Sequence, residues 1–416
     1  MFFLYQIFFT IILFISPFVI VYRILKNKED KVRFIEKFSI PSKKRLNGKL
    51  IWFHGASVGE ILSVIPLIKY YEKNKNIGQI LITSSTLSSS NVIKKFKFKK
   101  TIHQFYPIDY FPITNKFLNF WKPDLGIFID SEIWPCMFKN MYSKKIPLLL
   151  LNARITKKTF NKWMKIQSIS KSIFEYIKVA YPQNLETKSY LRKLSNCKIK
   201  HIGNLKFSEN YDSDLEKINI KLKSYLIEKK IWVASSTHKF EEIFCAKAHL
   251  ELKKKYRNIL TVIIPRHIHR ADKIKLELEN LGLKVFVHSS KLSKPQNLDI
   301  YLVDTFGETK KFHKISSTVF LGGSIIKRGG QNPLEAARFG AKILHGPNTD
   351  NFRDVYKLLN SLGISKRIYS SKKLASSVSF VKNKKGVKQI TNIGEKILKK
   401  TIKELNNHIF NDYKKT

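Results

Sequence analysis

Glu60 closes the stretch HGASVGE, residues 54–60, between the apolar runs LIWF and ILSVIPLI. Two kinds of chemistry are open to it. Ser57 and Glu60 have capping-box spacing, in which the serine caps a helix and the glutamate reaches back from the third helical position. A carboxylate at the mouth of a strand–loop–helix unit is also where α/β folds hold ligands, and there it can take a proton from a hydroxyl. Asp130 and Glu132, in FIDSEIWPCM, form a second acidic pair beside Trp134-Pro135. Such a pair suits proton chemistry, and it also suits a solvent-facing turn. Lys206, in GNLKF, offers a point charge to an anion.

The densest constellation is VFLGGSIIKRGGQNPLEAARFGAKILHGPNTDNF, starting at Val319. Gly322-Gly323-Ser324 ends a strand pattern, and Gly329-Gly330 permits close approach of the backbone to a ligand. Asn332 reads as an N-cap, Pro333 as the first helical residue ahead of Leu334, and Glu335 as the capping-box acid. Free N–H groups at such a helix start suit phosphate, although a capped helix after a turn needs no ligand. In IIPRHIHR, Pro265 ends a buried strand and delivers Arg266, His267 and Arg270, where a guanidinium can grip phosphate through two hydrogen bonds. VDTFGE closes another strand with Phe306, Gly307 and Glu308.

These residues need strands and helices to position them. From Lys49 onward short apolar runs (KLIWFHG, GQILITSST, DLGIFID, IPLLLLNAR) alternate with longer helical patterns, and a second series opens at Ile231 with IWVASST. This alternation predicts parallel, doubly wound sheets. At 416 residues the chain suits two domains. The expected division is 1–26 as a membrane anchor, 27–210 as one Rossmann-like domain and 211–416 as another, with a cleft between them. The anchor is read from Phe2 to Tyr22, which carries no charge and precedes Arg23, Lys26, Lys28, Lys31 and Arg33. Its length suits a bilayer, and the basic flank predicts that the remainder is cytoplasmic. A cleaved signal peptide lacks its basic leader here, and a buried core helix fits poorly with Pro17 and hydrophobicity all round.

The formal charge is +46, from 77 Lys+Arg against 31 Asp+Glu. It fits either attraction to anionic lipid or a lysine-rich compositional bias. No nucleic-acid partner is expected, since the chain has no zinc finger, RNP-like motif or fitting KH loop. Three scattered cysteines, Cys136, Cys197 and Cys245, form no disulfide framework, and no cluster has metal-ligand spacing, so neither metal nor cofactor is expected.

The ordered set WFHGASVGE, FYPIDYFP, KPDLGIFIDSEIWP, LLNARIT, GNLKF, ASSTHKFEE, IIPRHIHR, VDTFGE and FLGGSIIKRGGQNPLEAARFGAKILHGPNTDNF resembles the 3-deoxy-D-manno-octulosonic acid (Kdo) transferases of lipopolysaccharide synthesis over nearly the whole chain. The resemblance implies a GT-B glycosyltransferase that uses CMP-Kdo as donor and a lipid A precursor (lipid IVA) as acceptor at the cytoplasmic face of the inner membrane. It implies Glu60 as general base and, from direct attack by the acceptor hydroxyl, inversion at the anomeric carbon. Asp130, Glu132 and Lys206 are then expected in the catalytic cleft. Pro265, Arg266, His267, Phe306, Gly307, Glu308, Gly323, Ser324, Asn332, Pro333, Leu334 and Glu335 are expected to hold the CMP-sugar. Four positions depart from the family pattern: Asp130 for glutamate, Cys136 for asparagine, Gln331 for histidine and Ser89 for glycine. A nucleotide-sugar epimerase or another lipid glycosyltransferase shares the architecture and is the rival reading.

Overall fold

Apolar runs with no polar face bury both sides of a parallel sheet, and here they form two. The computed structural model describes residues 2–209, 220–290 and 297–410. The first sheet comprises β1 (Leu50–His54), β2 (Gln79–Ser84), β3 (Thr101–Phe105), β4 (Leu125–Ile129), β5 (Leu148–Ala153), β6 (Val179–Pro182) and β7 (Lys198–Ile199), in the order β3-β2-β1-β4-β5-β6-β7. The second comprises β8 (Lys230–Thr237), β9 (Ile259–Pro265), β10 (Val285–Val287), β11 (Ile300–Leu302), β12 (Thr318–Leu321), β13 (Lys342–His345) and β14 (Ser365–Arg367), in the order β10-β11-β9-β8-β12-β13-β14. All described pairings are parallel.

Strand order reverses between β1 and β4 in the first sheet and between β8 and β12 in the second. At such a point the loops after neighbouring strands leave toward opposite faces and open a crevice. The residues read as chemical follow these strands: Glu60 after β1, Asp130 and Glu132 after β4, and Gly322–Ser324 after β12.

Packing fixes the register. Trp52 on β1 is opposite Gly126 on β4, and a Cβ at Gly126 would lie 2.3 Å from Met141 Cε and 3.5 Å from Trp52 Cε3. The missing side chain makes room for the Met141 methyl, and the Trp52 indole meets Phe117 and Phe128 at centroid distances of 5.0 Å each. Trp232, Ile263, Leu302, Phe320 and Leu344 form the corresponding core of the second sheet.

The chain divides into Met1–Asn210 with Ile393–Thr416, and Tyr211–Asn392. The second domain expected over 211–416 therefore gives up its last stretch. The physical cause is the helix Lys384–Phe410, whose later turns are bound by the first unit. Tyr71 donates to Asn406 at 3.0 Å, Lys200 to Glu404 at 2.7 Å, and Lys49 to the Ile409 carbonyl at 2.8 Å. A Cβ at Gly394 would lie 2.2 Å from the Phe207 carbonyl, so only glycine allows the helix this close.

The N-terminal segment is one helix, Phe2–Leu25, containing Pro17. Proline has no N–H for the carbonyl four residues back, and the Ser16 hydroxyl supplies the missing donor to Leu13 at 2.8 Å. Phe14, Phe18, Tyr22 and Leu25 are exposed. Among the described residues no helix is long and apolar enough to cross a membrane; the side chains of residues 1–9 and 12, on which part of the anchor expectation falls, lie outside the description.

Two departures from the family pattern are absorbed locally. Ser89 is buried in the first turn of the helix Leu87–Lys94, where its N–H and hydroxyl both meet the capping Thr86 side chain. Cys136 is buried at the start of the helix Pro135–Ser143, and burial followed by the nearby Asp109 charge pushes its thiol up to about 12. Asp109 caps that helix by accepting from the Cys136 and Met137 N–H groups at 3.0 and 2.8 Å. Asp109→Ala should lower the free energy of unfolding by about 1–2 kcal/mol, the cost of losing an N-cap. Denaturant titration measures this, and an unchanged midpoint would show that the cap contributes nothing.

Candidate active site

In the first unit the loop leaving β1 turns directly into the helix Val58–Glu72. Ser57 is extended (φ −108°, ψ 160°), and its hydroxyl oxygen accepts from Glu60 N–H at 3.3 Å. Glu60 reaches back: Oε2 accepts from Ala56 N–H at 2.7 Å, and Oε1 accepts from the Ser57 hydroxyl at 2.7 Å. Ser57 N–H also reaches Glu60 Oε2, at 3.4 Å, which completes the capping box. A Cβ at Gly55 would lie 3.1 Å from Glu60 Cβ, so the glycine admits the carboxylate. Burial raises the Glu60 carboxyl from its ordinary 4.5 to about 7; the Ser57 hydroxyl opposes this, the Glu132 and Asp130 charges add to it, and Ala56 N–H opposes it. A carboxylate poised near neutrality is what a general base needs.

Asp130 ends β4 in the left-handed region (φ 62°). Its backbone is tied to β5 by its own N–H to Leu151 and by its carbonyl accepting from Arg154. Burial raises its carboxyl above the usual range, against the lowering charges of Lys206 and Arg154. Lys206 Nζ stands 3.4 Å from Asp130 Oδ2. The Lys206 turn is fixed by Asn204, which accepts from Lys206 N–H at 2.9 Å, and by Asn152, which accepts from Leu205 N–H at 2.9 Å. Glu132 Oε2 receives Trp134 Nε1–H at 2.9 Å and meets His54 Nε2 at 3.2 Å. Glu60, Asp130, Glu132 and Lys206 thus gather at the β1/β4 reversal. Among the described residues no group of three or more His, Cys, Asp or Glu is placed to hold a metal.

In the second unit the loop after β12 is organised by a residue that sequence reasoning did not single out. Glu241, buried at the start of the helix Glu241–Lys253, accepts with Oε2 from His238 N–H at 3.0 Å and Gly323 N–H at 2.7 Å. Its Oε1 accepts from Ser324 N–H at 3.1 Å and Ile325 N–H at 3.0 Å. The Gly323 and Ser324 amides are therefore taken by a protein carboxylate. Gly322 is needed because a Cβ there would lie 2.3 Å from the Ser236 carbonyl. Gly329 and Gly330 serve the chain itself: their φ values are 81° and 70°, and a Cβ at Gly329 would lie 2.6 Å from Asn351 Nδ2.

The start of the short helix Leu334–Ala337 also differs from expectation. Asn332 accepts from Leu334 N–H at 3.1 Å, while Pro333 stands outside the helix as its N-cap residue. Glu335 does not close a capping box; its carboxylate lies 3.4 Å from His313 Nδ1.

Cations collect after β8 and β9. Arg270 is held by Glu242 through contacts of 3.0 and 3.4 Å. Arg266 and His267, after Pro265, are exposed. His238 lies beside them, 5.6 Å from His267 between ring centroids, and among the described residues its buried Nε2 has no hydrogen-bond partner. Burial, then His267, Arg328, Arg266 and Arg270, push this imidazole down to about 4. After β11, Phe306 is 80% exposed, Gly307 has φ 87°, and Glu308 pairs with Lys311 at 2.9 Å. His238 and Glu241 both lie in SSTHKFEE, and a polar residue directly after a buried strand was the available signal.

A family model described as 3-deoxy-D-manno-octulosonic-acid transferase (kdotransferase) matches residues 32–209. A 3-deoxy-D-manno-octulosonic acid transferase of Rickettsia bellii is 34% identical over 404 residues, which is 95% of this chain and 94% of that protein. One from Haemophilus influenzae is 29% identical over 312 residues, 74% of this chain and 73% of that protein. Among solved structures, the UDP-GlcNAc 2-epimerase of Neisseria meningitidis bound to UDP-GlcNAc aligns with a TM-score of 0.55, covering 85% of this chain and 100% of that one. At 15% identity that likeness shows the fold alone.

Glu241 provides a direct test of the second-unit geometry. A carboxylate can accept from all its partners, whereas the amide of Glu241→Gln turns one oxygen into a donor facing N–H groups. The variant should lose about 3 kcal/mol or more, from broken charge-assisted bonds and buried unpaired N–H groups. A thermal melt matching the wild type would overturn the assignment.

Proposed function

The chain belongs to the 3-deoxy-D-manno-octulosonic acid (Kdo) transferase family, and from that premise we propose that it transfers Kdo from CMP-Kdo to a lipid A precursor (lipid IVA), with inversion and with Glu60 as general base. One observation carries the assignment of the base: Glu60, pushed up to about 7, is the carboxylate at the β1/β4 reversal, beside Glu132 and Asp130. At neutral pH it is part ionised and able to accept a proton.

In the proposed reaction an acceptor hydroxyl gives its proton to Glu60 as its oxygen bonds to the anomeric carbon of Kdo. The bond from that carbon to the phosphate oxygen breaks, and its electron pair leaves with CMP. A single displacement without a protein nucleophile inverts the centre. Lys206 adds positive charge near the acids, which favours the anionic Kdo carboxylate. On the nucleotide side, Arg266, His267, His238 and Arg328 offer cationic and N–H groups to the phosphate, and the exposed Phe306 ring offers a stacking surface to the base. Pro265, Gly307, Glu308 and the turn Asn332–Leu334 shape the same loops. A single phosphate can be met by these groups without a metal.

The membrane side of the proposal rests on the N-terminal helix and on charge. Phe14, Phe18, Tyr22 and Leu25 are solvent-exposed on Phe2–Leu25, and the chain carries a formal +46. Apolar insertion together with attraction to anionic head groups would hold the enzyme at the cytoplasmic face of the inner membrane, where a phosphorylated glycolipid acceptor lies.

Glu60→Gln tests the base. Glutamine also serves in a capping box, so the melt should move little while transfer to lipid IVA falls by roughly two to four orders of magnitude. In the wild type kcat/KM should rise with pH through about 7 as Glu60 ionises. The same shift means that the folded state holds the proton more tightly than the unfolded chain, so this group's contribution to stability declines between its ordinary 4.5 and about 7. A Gln variant with near-normal turnover would overturn the role. On the donor side, Arg266→Ala should weaken CMP binding by about 1.5–3 kcal/mol, read by calorimetry; unchanged affinity would remove Arg266 from the phosphate.

A further inference from the structure

Behind the acids at the β1/β4 reversal, a line of polar side chains runs back into the core of the first unit. Trp52 Nε1 lies 2.9 Å from Thr83 Oγ1. The same hydroxyl lies 2.9 Å from His54 Nδ1, and His54 Nε2 lies 3.2 Å from Glu132 Oε2. Register brings the middle pair together, because His54 on β1 and Thr83 on β2 are direct parallel partners. We infer that Thr83 holds His54 as its neutral Nε2–H tautomer, so that His54 pins Glu132 as a fixed anion beside Glu60 and thereby sets the strength of the base. This inference rests on the reading of Glu60 as that base.

Proton counting gives the direction. Indole N–H can only donate, so Trp52 takes a lone pair of Thr83 Oγ1. The Thr83 hydroxyl proton is then free to go to His54 Nδ1. A neutral imidazole that accepts at Nδ1 carries its proton on Nε2, and Nε2–H donates to Glu132. Trp134 donates to the same Glu132 oxygen at 2.9 Å. The opposite direction fits badly. Thr83 Oγ1 has a second lone pair that could receive Nδ1–H, but that tautomer would turn the bare Nε2 lone pair against the Glu132 oxygen 3.2 Å away.

The ring itself is clamped. It stacks on Tyr106 at 3.8 Å and 27°, with Phe128 edge-on at 5.1 Å. Its complete burial disfavours the imidazolium and holds its pKa below the ordinary range, with Glu132 and Thr83 opposing. Two donors meet one Glu132 oxygen, which fixes the orientation of that side chain. The groups acting on Glu60 are then Ser57 and Ala56 N–H, which favour its anion, and Glu132 and Asp130, which oppose it; Lys206 and Arg154 act in turn on Asp130. A fixed charge on Glu132 makes Glu60 a stronger base than a capped glutamate would be alone. His54, Thr83 and Trp52 are positioning residues in this scheme, and none of them touches substrate.

Two measurements on the full chain test it. Nitrogen-15 spectra of histidine-labelled wild type should show His54 protonated at Nε2 and bare at Nδ1 at neutral pH. An Nδ1–H or imidazolium signature there would overturn the inference whatever the enzyme's activity. The second measurement is the pH profile. Thr83→Val deletes only the hydroxyl, and with that tautomer no longer fixed the ascending limb of kcat/KM should move to lower pH, by up to roughly one unit, with turnover reduced about tenfold. If Thr83→Val does not fold, Glu132→Gln removes the charge directly and should move the limb the same way. A limb that stays at the wild-type pH in whichever of these variants folds would overturn the inference. Failure of the base reading itself looks different: Glu60→Gln would then keep its turnover.

Discussion

A carboxylate taken out of water must be surrounded by donors or give up its charge, and this constraint orders the molecule. Glu241 is fully enclosed and receives backbone N–H groups on both oxygens. Glu36 is met by Arg33 through contacts of 2.8 and 3.0 Å and by Phe105 N–H at 2.7 Å. Asp109 receives the first amides of a helix. Each of these acids joins segments far apart in sequence. Glu60 is different: its donors come from its own turn, and two other acids add their charge to its surroundings. The fold thus separates carboxylates that staple from one left ready to titrate.

Strand order explains where that carboxylate lies. In a parallel sheet the loops at the carboxyl ends crowd one another except where the order reverses. The loops after β1 and β4 meet at such a point and carry Glu60, Asp130 and Glu132. In the second unit the equivalent loops after β8 and β12 carry His238 and the glycines. Glu241 takes the backbone N–H groups after β12, while Arg266, His267 and Arg328 stand exposed around His238.

The strands were legible because fully buried parallel strands are plain apolar runs. KLIWFHG and DLGIFID contain β1 and β4, and the positions of all ten residues in those two strands are buried. The cap at Ser57 was legible because a capping box is local. Partners distant in sequence were not legible. Nothing around Gly323 indicates that its amide belongs to a glutamate 82 residues earlier, and nothing around Glu335 points to His313. The return of the C-terminal helix was hidden for the same reason, since Tyr71 and Asn406 are 335 residues apart. Spacing rules describe one element at a time, and these contacts are set by how elements pack.

The two readings of Glu60 offered by the sequence turn out to be compatible on energetic grounds. In the structure its Oε2 is tied to Ala56 N–H, which can only donate, while Oε1 meets the Ser57 hydroxyl, which can donate or accept. If Oε1 takes a proton, the Ser57 contact can reverse, with the carboxylic acid donating and the hydroxyl accepting. The cap therefore survives protonation in altered form, and the carboxyl group need not move when its charge changes. A base held in this way keeps its geometry through proton transfer, so little reorganisation energy is added to the step. In this view the capping box is the mount on which a titrating carboxylate is carried, and its serine tolerates both protonation states.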